Sequence, residues 1–197
     1  NKSTAELREA LAEGVRYLVV DCHEELDRLE QLHRDGLPVP NVVLRITPGV
    51  HAHTHEYIAT GQDDSKFGFN LGNGDAAAAV DRARRSPAVN LVGVHCHIGS
   101  NVFAVESFAR AAEVMAEFAA PLDLPELVHG GGLGVPYVGG EEAPTISEWG
   151  RVLLDACRSL GVRSKISVEP GRSIVAAAAV TVYTVGAVKR IPGVRTY

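Results

Sequence analysis

The sequence predicts an α/β chain in which short parallel strands alternate with helices. Three observations predict it: the hydrophobic period switches repeatedly between alternation and a helical stripe, the switch recurs about five times, and nearly every strand candidate ends in a polar residue or a glycine run. Polar groups gathered at strand C-termini are how a (β/α)8 barrel, or another parallel α/β sheet, assembles a site. About five units are too few to close a barrel of eight, so a partial barrel is expected.

In chain order, Ser3 and Glu6 form a capping-box signature, and the Leu7, Ala10, Leu11 stripe stops at Gly14, which marks a helix. Tyr17 to Val20 reads as a strand closing on Asp21, followed by a helix that carries Leu26, Leu29 and Leu32 and fades near Gly36. In the strand from Asn41 to Ile46, Val42, Leu44 and Ile46 share one face and Arg45 lies on the other. Thr47 to Asn73 is too long for a routine connection and reads as a functional loop. A helix from Asp75 to Arg85 leads into a strand from Leu91 to Ile98, where His95 and His97 face one way and Gly93 leaves room beneath them. Phe103 to Phe118 is helical until Pro121, Leu127 and Val128 run into the glycine run 130–134, and Thr145 with Glu148 caps a helix ending at Gly161.

The last unit is the most informative. Alternation over Ile166 to Glu169 puts Ile166 and Val168 on one face and Ser167 with Glu169 on the other. Pro170-Gly171 then forces a turn, setting the amides of Gly171, Arg172 and Ser173 to face an anion beside the Arg172 charge. A carboxylate one step from an anion cradle suits a phosphorylated cofactor that also carries a basic ring nitrogen. Beyond Arg172, Val180, Val182, Tyr183 and Val185 follow with no intervening helix. Residues 1–175 are therefore expected to form the barrel part, and residues 176–197 the start of a truncated β-rich domain.

Composition narrows the function. Of 197 residues, 46% are hydrophobic and 22% charged, ordinary globular usage, and the net charge of −5 argues against nucleic-acid or anionic-membrane partners. No apolar run approaches the roughly 20 residues of a membrane span, and Asn1-Lys2-Ser3 does not open a signal peptide, so a cytoplasmic location is expected. Cys22, Cys96 and Cys157 lack any paired spacing and read as core thiols. With no initial Met and Met115 the only one, the chain reads as an internal piece of something longer.

Several motifs admit two readings. The glycine run is either a tight strand-to-loop turn or a phosphate cradle; it has neither the dinucleotide spacing nor a Gly-Lys-Ser/Thr. Alternating His51, His53 and His55, and again His95 and His97, are compatible with a metallohydrolase, but no set of carboxylate ligands accompanies them, so no metal is expected. His97 suits stacking on a planar ring. Lys66 is either a nucleophilic amine or, the plainer reading, an ion-paired loop lysine.

Five stretches in order carry a family resemblance: His53 to Gly61, Ser65-Lys66-Phe67-Gly68, Gly93 to Ser100, Gly130 to Gly134, and Glu169-Pro170-Gly171-Arg172. Together they resemble the fold-type III, pyridoxal-phosphate-dependent decarboxylases of ornithine, lysine, arginine and diaminopimelate. The resemblance implies a TIM barrel of the alanine-racemase-like type and pyridoxal 5'-phosphate as cofactor. It implies His97 against the pyridine ring, Glu169 at the ring nitrogen, and Ser100, Gly132 and the Gly171-Arg172 turn near the phosphate, with Gly131 and Pro170 also cofactor-binding and Arg172 also reaching a substrate carboxylate. The loop carrying Thr54, His55 and Lys66 would close the site against water. The implied activity is decarboxylation of meso-2,6-diaminopimelate to L-lysine and carbon dioxide by a homodimer. The alternatives are a sibling acting on ornithine, arginine or carboxynorspermidine, or a non-catalytic pyridoxal-phosphate carrier. His129 and Asn101 depart from the family pattern and are expected at the edge of the site. The family's cofactor-bearing lysine and its Cys-Glu-Ser motif are not matched by any stretch here; none of Lys2, Lys66, Lys165 and Lys189 has the right context. No catalytic residue is therefore assigned in this chain, which is expected to be inactive alone.

Overall fold

A computed structural model describes residues 1–50 and 65–196. Its elements run α1 (Thr4–Ala12), β1 (Leu18–Val20), α2 (His23–Arg34), β2 (Asn41–Thr47), β3 (Phe69–Asn70), α3 (Asp75–Arg85), β4 (Asn90–Cys96), α4 (Val105–Ala119), β5 (Glu126–His129), α5 (Ile146–Ser159), β6 (Lys165–Val168), α6 (Arg172–Val175), β7 (Arg190–Ile191) and β8 (Arg195–Thr196). Both expected capping boxes form. The Ser3 hydroxyl accepts from the Glu6 amide while the Glu6 carboxylate accepts from the Ser3 amide, and Thr145 and Glu148 repeat the exchange at α5. Pro121 ends α4 in a 3₁₀ turn, Ala120–Leu122.

Strands β1, β2, β4, β5 and β6 pair in parallel in that order. Each crossover steps to the next strand in sequence, the progression of a barrel wall rather than the order reversal of a doubly wound sheet. The partial-barrel expectation therefore holds. Inside the span expected to be loop, β3 pairs with the end of β2 through Ile46↔Phe69 and Thr47↔Asn70. Strand β4 stops at Cys96, two residues earlier than the alternation suggested, so His97 and Ile98 belong to the loop that follows.

Register decides which side chains meet. Leu44, Val94, Leu127 and Ile166 form one row across the sheet, and Arg45, His95, Val128 and Ser167 form the adjacent one. Successive strand residues point to opposite faces, so the first row faces the helices and the second the barrel interior. Leu44, Val94 and Leu127 are fully buried against Leu26, Leu29 and Leu32 of α2, Ala76, Ala79 and Val80 of α3, and Met115 of α4. A second cluster joins Trp149 and Leu153 of α5 to Phe108 of α4, with the rings edge-to-face at 5.8 Å, and also buries Ile98, Val102 and Leu133. Those last three belong to the loops after β4 and β5, so this core fixes the loops at the strand ends.

Three expectations change. Gly93 does not leave room beneath the histidines: a Cβ there would lie 2.3 Å from the Glu126 carbonyl oxygen, because β5 occupies the space. Cys96 and Cys157 are buried, but Cys22 is only partly so, at the N-cap of α2. Past β6 the chain forms the single turn of α6 and a 3₁₀ turn, Ala176–Ala178, where no helix was expected. Beyond it Val180, Val182 and Tyr183 are exposed, and β7 and β8 form an antiparallel pair. Among the described residues no helix is long and apolar enough to cross a membrane. His51, His53, Thr54, His55 and the rest of residues 51–64 lie outside the described residues.

Gly93→Ala is expected to lower stability by about 1–3 kcal/mol through this backbone clash. Gly150→Ala, where nothing stands within 4 Å inside α5, is expected to raise it by up to about 1 kcal/mol. Urea midpoints at constant m-value check both.

Candidate active site

Three loops converge at the C-terminal ends of β4, β5 and β6. The Gly130 amide donates to the Cys96 carbonyl (2.7 Å), the Glu169 amide to the Gly130 carbonyl (2.9 Å), and the Val102 amide to the Gly132 carbonyl (2.8 Å). Glycine is required because the backbones nearly touch. A Cβ on Gly131 would sit 2.1 Å from the Glu169 carbonyl oxygen, and one on Gly132, at φ +93°, would sit 1.9 Å from the Gly99 carbonyl oxygen. The run is thus a tight strand-to-loop crossing. Its amides divide: those of Gly130, Gly131 and Gly134 bond to the protein itself, while among the described residues no acceptor takes that of Gly132.

Side-chain alternation brings Glu169 onto the interior face with Ser167. Its Oε2 lies 3.1 Å from Nε2 of His95, which is buried while Glu169 is about half exposed. Hydrogen bonding from His95 holds the Glu169 carboxyl below the ordinary carboxylate range, overriding the opposing effect of burial, with His97 and Arg45 helping. His97 accepts the Gly131 amide at Nδ1 (3.2 Å), which leaves its proton on Nε2. Burial, and next the Arg45 charge, push His97 down to about 4, so its ring is neutral.

Arg45 projects from β2 toward the same interior. Its guanidinium stands 3.6 Å from Asp21 Oδ1 and lies over the Phe67 ring at 4.5 Å. Asp21 in turn accepts the Gly68 amide (3.2 Å), so Ser65 to Gly68 is docked onto the ends of β1 and β2. The Lys66 ammonium lies over the Phe67 ring at 5.1 Å, and among the described residues it has no ion-pair partner.

Of the expected site residues, His97, Gly131, Gly132, Glu169 and Pro170 are in mutual proximity. Ser100 lies in the Gly99–Val102 segment that faces Gly132. Gly171 caps α6 and Arg172 opens it, donating from Nη1 to the Tyr137 hydroxyl (3.0 Å). Tyr137, past the glycine run, was not anticipated, and nothing in its local pattern signals it. Arg45 and Asp21 were legible only as polar strand ends, and His95 only as a possible metal ligand. Among the described residues no group of three His, Cys, Asp or Glu side chains is arranged to hold a metal ion.

His129 is not at the edge of the site. It shares a row with Cys96 and Val168 on the helix-facing side, between Cys96 Sγ (3.8 Å from Nδ1) and Cys157 Sγ (3.4 Å from Nε2). Burial pushes it down to about 4 and pushes the two thiols up to about 12 and about 11. It is a neutral core histidine. Asn101 adopts φ 57°, a left-handed conformation asparagine tolerates, and its Oδ1 accepts the Val135 amide.

The donor set fits a phosphorylated pyridine. Glu169 presents a carboxylate at the interior, His97 a flat neutral ring, and the unengaged Gly132 amide an anion donor. The Ser173 hydroxyl, in the first turn of α6, is shielded from solvent and has no partner among the described residues.

Residues 1–176 match the family model described as pyridoxal-dependent decarboxylase, pyridoxal binding domain. The chain is 41% identical over 204 residues to diaminopimelate decarboxylase of Staphylococcus aureus and 42% identical over 208 residues to that of Bacillus subtilis, covering all of this chain and 48% and 47% of those proteins. It therefore spans about half the length of the curated relatives it matches. The crystal structure of diaminopimelate decarboxylase from Helicobacter pylori complexed with L-lysine superposes with a TM-score of 0.82 at 34% identity, over 89% of this chain and 45% of that one. The crystal structure of diaminopimelate decarboxylase from m. jannaschii in co-complex with L-lysine gives a TM-score of 0.82 at 29% identity over 98% of this chain and 46% of that one.

His129 titrates lower folded than unfolded, so as the pH falls the unfolded chain takes up the proton first. Its contribution to stability, roughly 3 kcal/mol at most, is intact above about pH 6.5 and lost progressively down to about pH 4. Urea midpoints measured across that window are expected to fall with pH, and to fall less in His129→Leu.

Proposed function

We propose, from the premise that this chain belongs to the pyridoxal-dependent decarboxylase family, that it is the cofactor-binding part of an enzyme converting meso-2,6-diaminopimelate to L-lysine and carbon dioxide. The observation that carries the reading is the ionised Glu169 carboxylate on the interior face, one backbone contact away from the glycine crossing. Similarity to diaminopimelate decarboxylases of Staphylococcus aureus and Bacillus subtilis supports diaminopimelate over ornithine, arginine or carboxynorspermidine as substrate.

When bound, pyridoxal phosphate supplies an electron-poor ring that accepts the electron pair left as carbon dioxide departs. The residues of the chain do the rest. Glu169, kept ionised, holds a proton at the ring nitrogen and so keeps the ring electron-poor. His97 braces the ring plane, and because its imidazole is neutral it adds no charge to that face. Ser100, the free Gly132 amide and the Gly171-Arg172 turn hold the phosphate, amides and a guanidinium doing this without a lysine, while Gly131 and Pro170 form the backbone crossing beside it. Arg172 also reaches for the substrate carboxylate, tethered meanwhile by Tyr137. On this reading residues 1–175 are the barrel part, residues 176–197 begin a β-rich domain, and the enzyme is a cytoplasmic homodimer acting on a free amino acid.

Assaying the holoenzyme against the four candidate substrates tests the reading. Turnover of diaminopimelate alone is expected, and turnover of ornithine without diaminopimelate would overturn it. Glu169→Gln is expected to lower kcat by about 100-fold or more, with the cofactor still bound.

A further inference from the structure

We infer that His95 is a positioning residue that acts through Glu169, anchoring one carboxylate oxygen so that the other is presented to the cofactor's ring nitrogen. The inference rests on the proposed placement of Glu169 and goes beyond it, since no role at the site was assigned to His95. Glu169 Oε2 is engaged by His95 Nε2 at 3.1 Å, whereas Oε1 takes no hydrogen bond among the described residues. A half-exposed glutamate has several rotamers open to it, and only a bond to a fixed partner selects one. His95 is such a partner: it is 3% exposed and locked in the sheet between Arg45 on β2 and Val128 on β5.

Direction follows from the other ring nitrogen. Nδ1 of His95 is buried and has no hydrogen-bond partner among the described residues, so a proton placed there would be an unsatisfied buried donor, which is costly. The proton therefore resides on Nε2 and is donated to Glu169. The charged and titratable groups around the pair are Arg45 from β2, with Asp21 behind it, Glu169 from the end of β6, and His97 beyond β4; His129 on β5 points to the opposite face. Without His95 the carboxylate loses its fixed donor and is free to turn toward solvent or toward Arg45.

The test uses holoenzyme reconstituted with cofactor labelled with ¹⁵N in its ring, reading the ring-nitrogen resonance against pH alongside kcat and KM. Wild type is expected to show a protonated ring nitrogen across the neutral range. His95→Ala and His95→Asn, whose amide stops short of Glu169, are expected to lose that proton at lower pH and to lower kcat by about ten- to a hundredfold with KM little changed. His95→Gln, which restores a donor at the reach of Nε2, is expected to recover most of both. A wild-type ring resonance and pH profile in His95→Asn would overturn the inference, and so would a His95→Gln variant no better than His95→Asn, which would mark a packing role. A wild-type ring resonance in Glu169→Gln would instead overturn the placement of Glu169 itself.

Discussion

The site depends on the approach of three backbones with no room for a side chain between them. At Gly131 and Gly132 a single added carbon would fall about 2 Å from a carbonyl oxygen of a neighbouring loop, far inside van der Waals contact. The crossing lets the loop after β5 lie between those after β4 and β6, with His97 bonding one glycine amide and Glu169 another glycine carbonyl. Phosphate recognition alone does not explain the triple glycine. Packing among the strand ends demands it first, and the amide left over at Gly132 is a by-product available to a ligand.

Behind the crossing, the sheet separates oil from charge by alternation alone. Val42, Leu44 and Ile46 of β2, Val94 and Cys96 of β4, and Leu127 of β5 face the helices and build the core, while Arg45, His95 and Ser167 face inward. The interior row is held by mutual bonds: Asp21 to Arg45, His95 to Glu169, and Ser167 to Glu126. Burying such groups is tolerable only when they are paired. Among the described residues, Nδ1 of His95 and Oγ of Ser173 are buried without a hydrogen-bond partner.

Electrostatically the two histidines nearest Glu169 serve it differently. His97, pushed toward neutrality by burial and Arg45, offers a flat uncharged face. His95 donates directly and, as the largest influence on the Glu169 carboxyl, favours its ionised form. A third, His129, two thiols apart from either, shows that a histidine in the same stretch of sheet does something else when it falls on the opposite face.

Much was legible in the sequence because it is encoded locally. Capping boxes at Ser3 and Thr145, the stop at Pro121, and the alternation through Ile166 to Glu169 are satisfied by neighbours a few residues away, so pattern alone determined the strand–helix rhythm and the face on which Glu169 stands. Gly93, His129 and His95 were not legible in the same way. What each touches belongs to a distant element brought there by the tertiary fold: Glu126 of β5 beneath Gly93, Cys157 of α5 beside His129, Glu169 at the end of β6 above His95. Only the tertiary structure decided those roles, because the number of residues between two strands says nothing of which atoms their pairing will set face to face.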